Sequence, residues 1–144
     1  MPAYSVHTCG KTIVFRPDSG FGPEAAQALR EEAGRLCSRP ELQHLLLHLE
    51  HVTFVDSTVI GVLVSLHAEL AEARKAMHLY RPSENLHKIF TLVQLSQVFH
   101  FLEEVEEVTA LGVPEWVLDG EDAGQETAQE AGPESDPESG TGRG

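Results

Sequence analysis

The sequence predicts an α/β single domain, a mixed but mostly parallel sheet with alternating helices packed against it. Two observations carry this. Short segments rich in β-branched residues alternate with amphipathic stretches of helical period, in the order β, β, α, β, α, β, α, β, α. One internal segment, "HLLLHL" with "VTFV", is apolar almost throughout, as central strands covered by helices are.

The elements follow in chain order. "AYSVHT" and "KTIVFR" are short, β-rich and separated by Cys9-Gly10, which reads as a hairpin turn. After the loop "RPDSGFG", Pro23 suits a first helical position, and Ala26, Leu29, Ala33, Leu36 and Cys37 recur at helical spacing until Arg39-Pro40. The apolar run from His44 to Val55 reads as a buried strand. From Thr58 the period changes: Val59, Val62, Leu63, Leu66 and Leu70 fall on one helical face, with Glu69, Glu72, Arg74 and Lys75 on its wetter side. "MHLYR" is a short strand, and Pro82-Ser83 leads into a helix with Leu86, Ile89, Phe90 and Val93 on its apolar face. "VFHFL" reads as a last strand and "EEVEEVTAL" as a terminal helix. Phe90, Phe99 and Phe101 have core spacing, and Trp116 is expected to fold back on the domain. The domain is expected over residues 1–117. From 118 to 144 the chain is acidic and rich in Gly, Pro, Ser and Gln, too poor in apolar residues to offset its ordering entropy, and is expected to be a disordered tail.

The formal net charge of −13 is distributed unevenly. Up to residue 102, ten acids face nine Lys and Arg; the other thirteen acids lie from Glu103 onward, opposed only by Arg143. No basic cluster is available to neutralise a phosphate backbone or an anionic bilayer, so neither nucleic acid nor a membrane surface is an expected partner. The apolar runs are far shorter than the roughly 18 residues of a spanning helix, so no membrane insertion is expected, and without an apolar leader the expected location is cytoplasmic. There, Cys9 and Cys37 are expected as reduced thiols.

Ser57 is the leading candidate for chemistry. It follows a strand and opens a helix, where unpaired N–H groups and the helix dipole favour an anion. A phosphate there would add roughly −1.5 to −2 charges beside Asp56 and weaken a partner fitted to the bare hydroxyl. The spacing by itself equally describes Asp56, Ser57 and Thr58 as capping residues. A hydrolase elbow is not supported, since Val55 and Val59 stand where G-x-S-x-G requires glycines. Gly20-Phe21-Gly22 lacks a following Lys-Ser/Thr pair and reads as a flexible loop, not a phosphate loop. His44 and His48 on one strand face are ~13 Å apart at ~3.3 Å per residue, too far to share an ion. Neither a metal nor a cofactor is expected.

The stretch "LLLHLEHVTFVDSTVIGVLVSL" resembles the signature of STAS domains, as found in bacterial anti-sigma factor antagonists, with Leu49, Val52, Phe54, Val55, Asp56, Ser57, Thr58, Ile60 and Gly61 in matching places. The order of elements agrees over about residues 3 to 112. The resemblance implies a non-enzymatic, cytoplasmic phosphoprotein of transcription regulation. It implies that Ser57, with Thr58 as fallback, is phosphorylated by an anti-sigma factor that is also a Ser/Thr kinase of the histidine-kinase ATPase type. A metal-dependent Ser/Thr phosphatase would reset it. The unphosphorylated domain would bind that kinase through Asp18, Ser19, Asp56, Ser57, Thr58, Val59 and Gly61. The alternative is a constitutive STAS scaffold subunit of a transport or stress-signalling assembly. The match departs at Val59, where the family has Gly and a β-branched side chain is expected beside the acceptor, at His48, where Asp is common, and at the loosely matching "RPDSGFG".

Overall fold

The computed structural model describes residues 4–18 and 20–118. Ser19 and the tail from 119 to 144 therefore lie outside the described residues. Strands β1 (Tyr4–Cys9) and β2 (Thr12–Pro17) form the expected hairpin, and Gly10 takes the positive φ of 58° that its turn requires. Helix α1 (Pro23–Ser38) follows with Pro23 in its first turn, then β3 (His44–His48) and α2 (Ser57–Glu72). Strand β4 (Ala76–Tyr80), α3 (Glu84–Leu92) and β5 (His100–Leu102) complete the alternation. Two short helices close the fold, α4 (Val105–Thr109) and α5 (Glu115–Leu118).

The sheet runs β1-β2-β3-β4-β5, antiparallel at the hairpin and parallel thereafter. Because each parallel crossover steps to the next strand in the same direction and such crossovers are right-handed, α1, α2 and α3 must all lie on one face. The main core bears this out. Ile13, Phe15, Leu45, Leu47, Met77 and Leu79 from the strands meet Leu29, Leu36, Leu63, Leu66, Leu86 and Phe90 from those helices. On the other face α4 and α5 cover a smaller core of Val14, Leu46, Tyr80 and Leu102 with Val108, Val113, Val117 and Leu118. Leu118, expected to open the tail, is buried in that cover.

Several boundaries differ from the sequence reading. β3 stops at His48; "VTFV" is not strand, because the Leu49 N–H closes on Tyr80 O, the Val52 N–H turns back on Leu49 O, and Phe54 makes only an isolated parallel bridge to Gly20. α2 ends three residues earlier than Lys75, and Arg74 leaves it in the left-handed region at φ 62°. Val93 caps α3 and is exposed rather than inward, Cys37 points out of α1, and Val98 lies outside the three-residue β5. α5 was not legible as a helix. Trp116 sits on it half-exposed, edge-on to His7 at 6.0 Å, while Val117 and Leu118 supply the packing. Both cysteines are free, and burial raises the Cys9 thiol to about 11.

Candidate functional site: the start of helix α2

The segment between β3 and α2 is held by its apolar residues. Leu49, Val52 and Val55 are buried at a spacing of three, which fastens a coil by one side and pushes what lies between them outward. Phe54 is left 59% exposed. Asn85, in the first turn of α3, donates from Nδ2 to Thr53 O at 2.7 Å, tying this coil to the next helix. The Gly20–Phe54 bridge brings the 18–22 loop alongside. Phe21, 4% exposed, is anchored in the main core next to that bridge. Asp18 is exposed at the start of the loop.

Asp56 is the N-cap. Its backbone is extended (φ −92°, ψ 178°), its Oδ1 accepts from the Val59 N–H at 2.9 Å, and its carbonyl accepts from the Ile60 N–H at 3.0 Å. Of the four N–H groups that the helix start leaves without an intrahelical partner, those of Asp56, Ser57 and Thr58 therefore remain, and the Ser57 and Thr58 side chains are exposed. Ser57 occupies the first position of a 16-residue helix, and no hydrogen bond engages its hydroxyl among the described residues. A nucleophilic or acceptor role is sterically open to it. Among the described residues no histidine is hydrogen-bonded to it, in contrast to the paired base that activates a hydroxyl nucleophile.

Gly61 follows one turn later on the same face, and Val64, 39% exposed, continues it. A Cβ added at Gly61 would meet nothing within 4 Å, so internal packing does not require the glycine there. A glycine inside a helix costs about 1 kcal/mol relative to alanine. Phe54, Gly61 and Val64 are thus exposed apolar positions near the exposed hydroxyls of Ser57 and Thr58, with the Asp56 carboxylate at the cap. Sequence reasoning missed Phe54 and Val64. The i, i+3 spacing of Val52 and Val55 was the signal that Phe54 is not in an alternating strand.

Val59 does not join that surface. Its side chain is 1% exposed in the main core, so the β-branched substitution expected beside the acceptor points away from it. Ser19 lies outside the described residues. The structure thus places Asp56, Ser57, Thr58 and Gly61 at the exposed start of α2, leaves Asp18 exposed two residues before the Gly20–Phe54 bridge, and turns Val59 inward.

His48, where the family commonly has Asp, faces the opposite side of the sheet and is fully buried. Burial lowers its pKa to about 4, against a hydrogen bond from Nε2 to Glu50 Oε1 at 3.2 Å that works the other way; its Nδ1 has no partner. An open cavity of about 360 Å³ on that side is lined by Glu50, His51, Tyr80, Arg81, Val105, Glu115 and Leu118, and contains none of the residues at the start of α2.

Comparison with known proteins gives a consistent picture. The model of the STAS domain matches residues 3–108. The chain is similar in structure to the anti-sigma factor antagonist SpoIIAA in its unphosphorylated form, with a TM-score of 0.64 at 19% identity, covering 75% of this chain and 93% of that one. It is also similar to the Bacillus cell fate determinant SpoIIAA in the phosphorylated form, with a TM-score of 0.61 at 19% identity over 75% and 96% of the two chains. An anti-sigma factor antagonist from Mycobacterium paratuberculosis gives a TM-score of 0.60 at 15% identity over 76% and 92%. At these identities the likeness is one of fold.

Proposed function

Because the chain belongs to the STAS domain family, matched over most of its length, we propose that it is a phosphorylation-switched binding module that acts as an anti-sigma factor antagonist. The unphosphorylated form binds an anti-sigma factor that is also a Ser/Thr kinase of the histidine-kinase ATPase type. That kinase transfers the γ-phosphoryl group of ATP to Ser57 Oγ: the new O–P bond replaces the hydroxyl hydrogen, whose proton goes to a base on the kinase, and ADP leaves. A metal-dependent phosphatase reverses the state by hydrolysis. The domain itself catalyses nothing, and its proposed location is the cytoplasm. No helix among the described residues is long and apolar enough to cross a membrane.

The observation that carries this reading is the exposed Ser57 hydroxyl at the start of α2, beside a glycine that internal packing does not need. A phosphate placed there meets the free N–H groups of Ser57 and Thr58, so the fold tolerates it. It also meets Asp56, so the apolar surface around Phe54 and Gly61 becomes strongly anionic, and a partner fitted to the bare serine is repelled.

Incubation with an anti-sigma kinase of the proposed type and ATP, followed by phosphate mapping by mass spectrometry, should label Ser57; a protein labelled on neither Ser57 nor Thr58 has no such switch. In binding assays Ser57→Ala should retain the kinase and Ser57→Asp should lose it. Equal binding of the two variants would favour instead the constitutive scaffold subunit of a transport or stress-signalling assembly, in which the same surface is occupied without modification.

A further inference from the structure

The sheet face covered by α4 and α5 is unusually rich in imidazole. By strand alternation it receives His7 from β1, His44 and His48 from β3, His78 from β4 and His100 from β5, five of the chain's eight histidines. Three of them form a ladder across adjacent strands. His78 Nε2 lies 3.0 Å from His44 Nδ1, and His78 Nδ1 lies 2.7 Å from His100 Nδ1. His78 is buried at 6% exposure, whereas His100, at the start of the short edge strand β5, is exposed.

A neutral imidazole has one N–H and one lone pair, so the two contacts of His78 run in opposite senses. With Nε2–H donating to His44 Nδ1, the His78 Nδ1 lone pair faces His100 Nδ1, and a single proton lies between those two nitrogens. Such a pair, one member fixed in tautomer by an outer hydrogen bond, is the arrangement by which proteins present imidazole to a metal.

We propose that His78 and His100 form an open zinc site that binds through both Nδ1 atoms, with His44 as the positioning residue that accepts from His78 Nε2–H. On binding, the ion takes the place of the shared proton, which His100 regains on Nε2 from solvent, so each imidazole stays neutral. Zn–N bonds of ~2.0–2.1 Å in tetrahedral geometry set the two nitrogens ~3.3 Å apart. The pair at 2.7 Å must therefore open by about half an ångström, a movement that falls on the exposed ring of His100. Charge selects this pair over the other. Lys11 acts electrostatically on His44 and repels a cation there, whereas the carboxylate of Glu107, in α4, interacts electrostatically with the His100 position and favours one. Among the described residues no three His, Cys, Asp or Glu side chains form a closed metal site, so water completes the coordination and binding is reversible. Zinc is the ion committed to because imidazole suits it and two open positions impose no geometry that it resists.

Zinc titration of the full chain at neutral pH by calorimetry tests this, read alongside imidazole 15N resonances by NMR. One equivalent should bind, and the Nδ1 resonances of His78 and His100 should move together. His100→Gln removes a ligand at an exposed position, and its thermal unfolding without zinc checks that the fold is intact. It should weaken binding more than His44→Ala does, the latter by ~10-fold or more, as is typical for loss of an outer partner. His67→Gln and His87→Gln should bind as wild type. Weak uptake by carboxylates elsewhere is common to all these proteins and cancels. Absence of zinc binding, wild-type binding by His100→Gln, or resonance shifts confined to other histidines would each overturn the assignment.

Discussion

His48 should make this fold sensitive to acid, and replacement with leucine should remove that sensitivity. The imidazole is fully buried between β2 and β4, against Tyr80 at 5.3 Å and His51 at 6.1 Å. Glu50 is its hydrogen-bond partner, and the positive charge of Arg16 acts against protonation. Burial is the largest cause of its lowered pKa, about 4 against an ordinary 6.5. The folded state thus disfavours the proton that the unfolded chain accepts below pH 6.5, so stability present at neutral pH is lost as pH falls from about 6.5 toward 4. From these two values the loss between pH 7 and pH 5 is about 2 kcal/mol, approaching about 3 kcal/mol below pH 4. The assay is urea unfolding of wild type and His48→Leu across that range, taking the difference of the two stabilities at each pH. Other titrating groups, including the remaining histidines, cancel in this difference. At pH 7 the two should be close, because leucine also relieves the unpartnered Nδ1 at the cost of the Glu50 contact. At pH 5 the variant should be the more stable by about 2 kcal/mol. Parallel stability curves would refute the reasoning, since they would mean that the site accommodates the imidazolium as readily as water does.

Other outcomes follow from the site and core. Asp56→Ala should lower stability by about 1 kcal/mol in chemical denaturation, through loss of the bond to the Val59 N–H. Val59→Gly, which restores the family's residue, should destabilise by about 2–3 kcal/mol, since it removes a buried side chain and adds a helical glycine; the same denaturation series measures it, and binding of the proposed kinase partner per folded molecule should not improve. Phe90→Ala, emptying a fully buried position against Phe99 and Phe101, should cost about 3–5 kcal/mol and lower the melting temperature accordingly.

Where a segment's periodicity and its burial had the same cause, the chain was easy to read. The face Val59, Val62, Leu63, Leu66 and Leu70 is buried as its spacing implies, and so is Ala26, Leu29, Ala33 and Leu36 on α1. Segments that depend on distant partners were not legible. "VTFV" has strand composition yet finds no ladder, because Tyr80 O closes the end of β3 and Gly20 offers Phe54 a single bridge. α5 has four residues and owes its helical form to Val117 and Leu118 seating on the second core, which no local pattern announces.

The chain itself determined that strands alternate with helices, and that a serine follows an acidic cap at a helix start, because propensity, capping and amphipathic period act over a few neighbouring residues. Only tertiary structure decided which side chains those elements bring together. Val59 turns into the core while Phe54 and Gly61 come to the surface beside Ser57. Residues 44, 78 and 100 meet as one imidazole ladder although 34 and 22 positions separate them along the chain. Register between parallel strands, set by the crossovers that join them, is a property of the packed sheet rather than of any one segment.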